Sequence, residues 1–222
     1  MNLLYTDFEF DDLIYDLEIT ETDISNAIIT LKDKVTIGID GVPDILLKKC
    51  RGHLLRPLFI LFNQSINDGY VPKIWKKSFV IPVFKSGNRS DIGNYRPISI
   101  MGSVAKILDS IMAQKLSQQY LMHIITQLHS FVKGRSTLTN LIVYSDYVAN
   151  ALNDYKQVDS IYLDFKKAFD SVDHSILVYK LQNVGMRGFL LKWIKSYLSG
   201  RENVVKINNQ RSVPYAVCSG VP

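Results

Sequence analysis

Cysteine and histidine are scarce, two and four in 222 residues. Cys50 and Cys218 lie far apart and in no Cys-x-x-Cys, which excludes a disulfide framework and a zinc site of regular ligand spacing. No disulfide partner is expected, and a reducing intracellular compartment is the default, nucleus or cytoplasm left open. No apolar run reaches the length of a membrane span, so no membrane partner is expected. The first twelve residues have no basic segment and no small-residue cleavage site, which excludes a secretory signal. Lys and Arg are missing altogether from residues 1–23, which hold eight acids.

What is present is basic. The chain carries +5 overall, and beyond residue 23 its 26 basic residues face 13 acids. Residues 73–96 hold Lys73, Lys76, Lys77, Lys85, Arg89 and Arg96 against Asp91 alone. Trp75, Phe79, Phe84 and Tyr95 are interleaved among them. That texture fits either a polyanion-binding surface or a solvated face with snorkelling lysines.

The acidic start reads as a leader or linker over residues 1–21. Ile24, Ala27, Ile28 and Leu31 share one face of a helix over 22–34, with Thr22 as its cap. "IGIDG" (37–41) is a turn, and Pro43 opens a short helix. A further helix covers 53–67. "SFVIPVF" (78–84) and "YRPISI" (95–100) are strands joined by a polar loop, and Pro82 and Pro97 argue for edge positions or bulges. Helices follow over 103–120 and 137–153, then a strand over 158–165. Two more helices, 173–184 and 187–199, precede a closing hairpin around "NNQ". This order predicts an α+β fold, rich in helix.

The 158–165 strand ends on Asp164. Two readings stand for that carboxylate. It pairs with Lys166 or Lys167 and ends the strand, or it holds a hard divalent ion. Asp170 and Asp173 are read as helix caps. Arg96 can pair with Asp91 across the hairpin, Lys85 can be a solubilising loop lysine, and Phe169 can be core.

Five motifs in one order change the balance. "IGIDGVP", "GYVPKIWKKSFVIPVFKSGNRSDIGNYRPISI", "FVKGRST", "IYLDFKKAFDSVDH" and the last "GVP" together closely resemble the reverse transcriptase domain of non-LTR (LINE-like, jockey-type) retrotransposons, from about residue 24 onward. The resemblance implies a right-hand polymerase, with fingers over 22–154 and an incomplete palm over 155–222. It implies an RNA template, a DNA primer, a dNTP substrate and two Mg²⁺ ions. Asp164 matches the first catalytic aspartate, a ligand of both ions, and Phe165 would lend a carbonyl to one. Lys85 and Arg96 match fingers residues that meet the triphosphate. Lys167 and Ala168 would offer backbone N–H groups to phosphate. Phe169 matches the bulky gate that excludes a 2′-OH. Lys133 and Arg135 would contact template phosphates.

The sequence departs from the family pattern in one respect. Its one Asp-Asp pair, Asp11–Asp12, precedes the fingers instead of following Asp164. The expectation is therefore a chain that does not polymerise alone, with an unpaired palm edge and loose structure past residue 200. A non-catalytic binder of RNA or RNA–DNA hybrid, and a non-functional relic, are the alternatives. Oligomeric state is left open.

Overall fold

A computed structural model describes residues 17–33, 35, 37–120, 132, 134–165 and 167–221, the Tyr120 side chain excepted. The acidic leader to residue 16, with Asp11 and Asp12, lies outside these residues, as do Lys133 and Lys166. The chain divides into two compact units. One is Met1–Gln114 with Lys167–Pro222, the other Lys115–Lys166.

In the first unit, α1 (Glu21–Thr30) opens on Thr20, not Thr22. The Thr20 hydroxyl accepts from the Asp23 N–H, and the Asp23 carboxylate accepts from the Thr20 N–H. That reciprocal box satisfies two orphan donors, which Thr22 inside the helix cannot do. α2 (Asp44–Lys49) and α3 (Arg51–Asn67) follow. Ile24 and Ile28 of α1, Phe62 and Ile66 of α3, and Leu190 and Trp193 of α7 (Gly188–Leu198) are fully buried. The Trp193 indole donates to Ser65 Oγ at 3.0 Å, so the large ring is buried without an orphan N–H.

β1 (Lys77–Phe84) and β2 (Tyr95–Met101) form the expected hairpin. Pro82 and Pro97 sit directly opposite each other, so both missing donors fall at one level of the ladder. There β1 has already left its other neighbour, and β2 is the edge strand. α4 (Ser103–Tyr120) starts where β2 ends and buries Ile107, Leu108, Ile111 and Met112, the expected face. "GIDG" serves this junction. A Cβ on Gly102 would meet the Asp40 carboxylate at 2.5 Å, and that carboxylate accepts from the Val104 N–H.

After α6 (His174–Asn183) and α7 come β3 (Arg201–Ile207), β4 (Gln210–Arg211) and β5 (Tyr215–Val217). β3 lies parallel to β1, with Lys77 opposite Glu202. Its other side pairs antiparallel with β5 and then β4. Loose structure past residue 200 is therefore not found: β3 is held on both sides, and Arg201 is buried at its start. The architecture is α+β, helices packed with one mixed sheet.

The second unit contains α5 (Thr137–Asn153), capped by a Ser136–Thr139 box. The strand expected over 158–165 is not formed. A strand needs a ladder partner. The sheet strands pair among themselves in the other unit, and no described residue of this unit is in a strand. No described helix is long and apolar enough to cross a membrane.

Candidate functional site

In the second unit, Asp164 follows Ile161, Tyr162 and Leu163, each more than four-fifths exposed, and Phe165 is exposed as well. Asp164 is itself exposed. A solvated carboxylate carries no burial cost, so burial does not demand a cation partner for Asp164. Arg135, in the same unit, is half-buried just before α5, and its N–H donates to the Val132 carbonyl. Among the described residues no three His, Cys, Asp or Glu side chains come together as a metal-ligand set. One carboxylate and one carbonyl do not hold two Mg²⁺ ions ~3.5–4 Å apart, so the residues described here do not fit the two-ion centre.

The other predicted residues belong to the first unit. Lys85 continues β1, its N–H donating to the Asn94 carbonyl, and Arg96 stands opposite Val83. Strand alternation puts Lys85 and Arg96 on one sheet face as diagonal neighbours, and both are exposed. Asp91 is engaged elsewhere: its carboxylate accepts from the Gly93 N–H at 2.8 Å. The Arg96–Asp91 pair is not formed. The loop between the strands is knit to itself. Asn94 Nδ2 donates to the Asn88 carbonyl, Tyr95 OH donates to the Arg89 carbonyl, and the Arg89 guanidinium lies 4.8 Å from the Phe84 ring centroid. The Asn, Asp and Gly of "KSGNRSDIGN" thus make a firm tip.

Lys167, with φ 54°, opens a turn that carries Ala168, Phe169 and Asp170. The turn is docked by the last described residues. Val221 N–H donates to the Phe169 carbonyl at 3.0 Å, and Gly220 N–H donates to the Val172 carbonyl at 2.9 Å. Ser219 Oγ donates to the Asp170 carbonyl, and His174 Nε2 lies 2.7 Å from the Gly220 carbonyl. Gly220 has φ 84°, and a Cβ there would lie 2.9 Å from the Asp170 carbonyl oxygen, so only glycine allows this approach. Asp173 caps α6 as expected, accepting from the Ser175 and Ile176 N–H groups. Asp170 does not cap; it lines a cavity of about 300 Å³.

That cavity lies on the sheet face opposite Lys85 and Arg96. Ser78 and Val80 of β1, Pro97 and Ser99 of β2, Arg201 and Asn203 of β3, and residues 215–221 line it. The structure thus brings Lys85 and Arg96 together, and separately brings the Phe169 turn against the sheet and Gly220. The two groups lie on opposite faces of the sheet: Pro97 of β2 lines the cavity, and Arg96 faces the other way.

Sequence reasoning missed four polar groups here, Ser78 and Arg201 buried and Asp109 and Tyr197 half-buried. Ser78 Oγ is buried with no partner among the described residues. Arg201, 3% exposed, donates to the Tyr197 carbonyl at 3.2 Å and lies 4.8 Å from the Tyr197 ring centroid. Tyr197 OH donates to Asp109 Oδ2 at 2.9 Å. Burial pushes the Asp109 carboxyl up to about 6, against the opposing pull of the Tyr197 hydrogen bond and the Arg201 charge. Tyr197 is raised as well, by burial first and then by the Asp109 charge. No local spacing signals this cluster, which joins α4, α7 and β3.

The family described as "Reverse transcriptase (RNA-dependent DNA polymerase)" matches residues 76–222, well over half of the chain. The chain belongs to the reverse transcriptase family. Its match takes in the hairpin, the Phe169 turn and Gly220, the three features just described. One relative, "Probable RNA-directed DNA polymerase from transposon BS" of Drosophila melanogaster, is 28% identical over 203 residues, 90% of this chain and 22% of the relative. The "RNA-directed DNA polymerase from mobile element jockey" of the same organism is 26% identical over 207 residues, 92% of this chain and 22% of the relative. A "Retrovirus-related Pol polyprotein from type-1 retrotransposable element R1" of Bradysia coprophila is 27% identical over 214 residues, 92% of this chain and 21% of the relative. The chain spans about a fifth of the length of these curated relatives.

Proposed function

We propose that this chain is the fingers, with part of the palm, of an RNA-directed DNA polymerase, and that it holds an incoming dNTP against an RNA template and DNA primer. The supporting observation is the docking of the Lys167–Asp170 turn on Ser219–Val221. Two family motifs some fifty residues apart are bonded together beside the hairpin. On this reading Lys85 and Arg96 meet the triphosphate. Arginine suits that task as a fork that stays charged. Lys167 and Ala168 offer N–H groups, and the Phe169 ring bars a 2′-OH. The bound nucleotide spans the β2 edge, which separates the two groups. Arg135 and Lys133 contact template phosphates. Asp164 and the Phe165 carbonyl supply part of a divalent-ion site that these residues do not complete. On this reading the chain alone does not extend a primer.

Photocrosslinking of labelled dTTP tests the nucleotide site. Competing dTTP should displace the label about tenfold more readily than UTP. Phe169→Ala should level the two competitors, and Arg96→Ala should weaken both. Crosslinking indifferent to both substitutions sinks the reading. Primer extension on an RNA template should give no product. Incorporation that Asp164→Ala abolishes would overturn the predicted inactivity.

A second reading, a binder of RNA or RNA–DNA hybrid without chemistry, is favoured by the incomplete ligand set around Asp164. A relic without function is separated from both by the absence of any saturable nucleotide or RNA binding.

A further inference from the structure

We infer that the sheet face bearing Phe79 docks a single strand of nucleic acid, anchored at one end by Lys206 and Arg211 of the β3–β4 hairpin. The inference rests on the reading above for its class of partner, and it adds Lys206 and Arg211 as an anchor outside the nucleotide pocket, on a face whose other end, Lys85 and Arg96, that pocket shares.

Register defines the face. Phe79 lies opposite Ile100 of β2 and Val204 of β3, and Val83 lies opposite Arg96. Two residues past Val204 the same face carries Lys206, whose ladder partner is Arg211. Both cationic heads sit over the Phe79 ring, the Lys206 ammonium 5.3 Å and the Arg211 guanidinium 4.9 Å from its centroid. The ring holds two like charges side by side where repulsion would otherwise splay them. Among the described residues neither has a carboxylate within ion-pair distance. The one acid that the strands put on this face, Glu202, is taken by Lys77 at 3.0 Å.

The other end of the face carries Lys85 and Arg96. Lys85 lies six residues beyond Phe79, a span of about 20 Å. Between the two cation pairs lie Val83 and Ile98, 43% and 44% exposed. Positive charge at two ends with apolar surface between matches a ligand that repeats phosphates and offers flat bases. A single strand can lay its bases on Val83 and Ile98. A duplex hides its bases and would leave that surface uncovered.

Fluorescence anisotropy on the full 222-residue chain tests this, without dNTP or divalent ion. The probe is an oligouridylate of about 20 nucleotides, longer than such surfaces cover. Lys206→Glu with Arg211→Glu should weaken binding about tenfold or more. Lys32→Glu with Lys49→Glu, a matched reversal around α1 and α2, should change it little. Lys206→Gln with Arg211→Gln should reduce the slope of log K against log salt by about 1.4, two phosphates' worth on a single strand. These milder variants carry the test if the reversals do not fold by circular dichroism. Four outcomes overturn the inference: equal loss in both reversals, an unchanged salt slope, equal affinity for a blunt duplex, or a dimer in light scattering that the Lys206 and Arg211 changes dissolve. Lost dTTP crosslinking with intact oligouridylate binding would instead sink the nucleotide site alone.

Discussion

Asp109 shows what one carboxyl can do to pH dependence. Its ordinary value of 3.8 is raised to about 6 by burial. Between those values the folded chain binds more protons than the unfolded one, so stability falls as pH rises through the window. The loss is at most about 3 kcal/mol, and solvent screening at a half-buried site brings it lower. Asp109→Asn should flatten the profile between pH 4 and 6 and raise the urea midpoint at pH 7.5. A profile unchanged by the substitution would count against this account. Asp109 was not legible in the sequence because its neighbours, Tyr197 and Arg201, come from segments some ninety residues away. Asp173 was legible, because a cap answers to the next three residues only.

Elements divide along the same line between local and remote causes. Helix periodicity, the Pro-bearing hairpin and the closing turn are local, and each lies within a few residues of its expected place. The cap of α1 was misplaced by two residues because Thr20 and Thr22 offer the same chemistry, and the box that Thr20 closes with Asp23 decides between them. The strand expected at 158–165 failed for lack of a partner. Asp173→Ala removes two hydrogen bonds to N–H groups of α6 and should cost about 1 kcal/mol. Hydrogen exchange should show faster opening confined to the first turn of α6. The parallel β1–β3 pairing was invisible to pattern, since nothing in either strand names the other. For the candidate site, the motifs announced its residues, but their division between two sheet faces appeared only with the register.

At the scale of the molecule, apolar surface is unevenly spent. The first unit buries a core of helix faces, whereas Leu138, Leu141, Ile142 and Tyr147 of α5 are each more than half exposed. Exposure on that scale favours self-association. The chain should bind the dye ANS and sediment in a concentration-dependent way. Leu141→Glu with Ile142→Glu should reduce both while leaving the thermal transition of the first unit in place. Dye binding unchanged by the pair would place the sticky surface elsewhere.

The pairing of Lys77 with Glu202 also sets a timetable for synthesis. A ribosome at about 5–20 residues per second must run on for roughly 6–25 s after β1 emerges before β3 exists to meet it. During that interval β1 has only β2 beside it, and its far side waits unmatched. A nascent chain of this kind has reason to recruit a chaperone to that waiting edge.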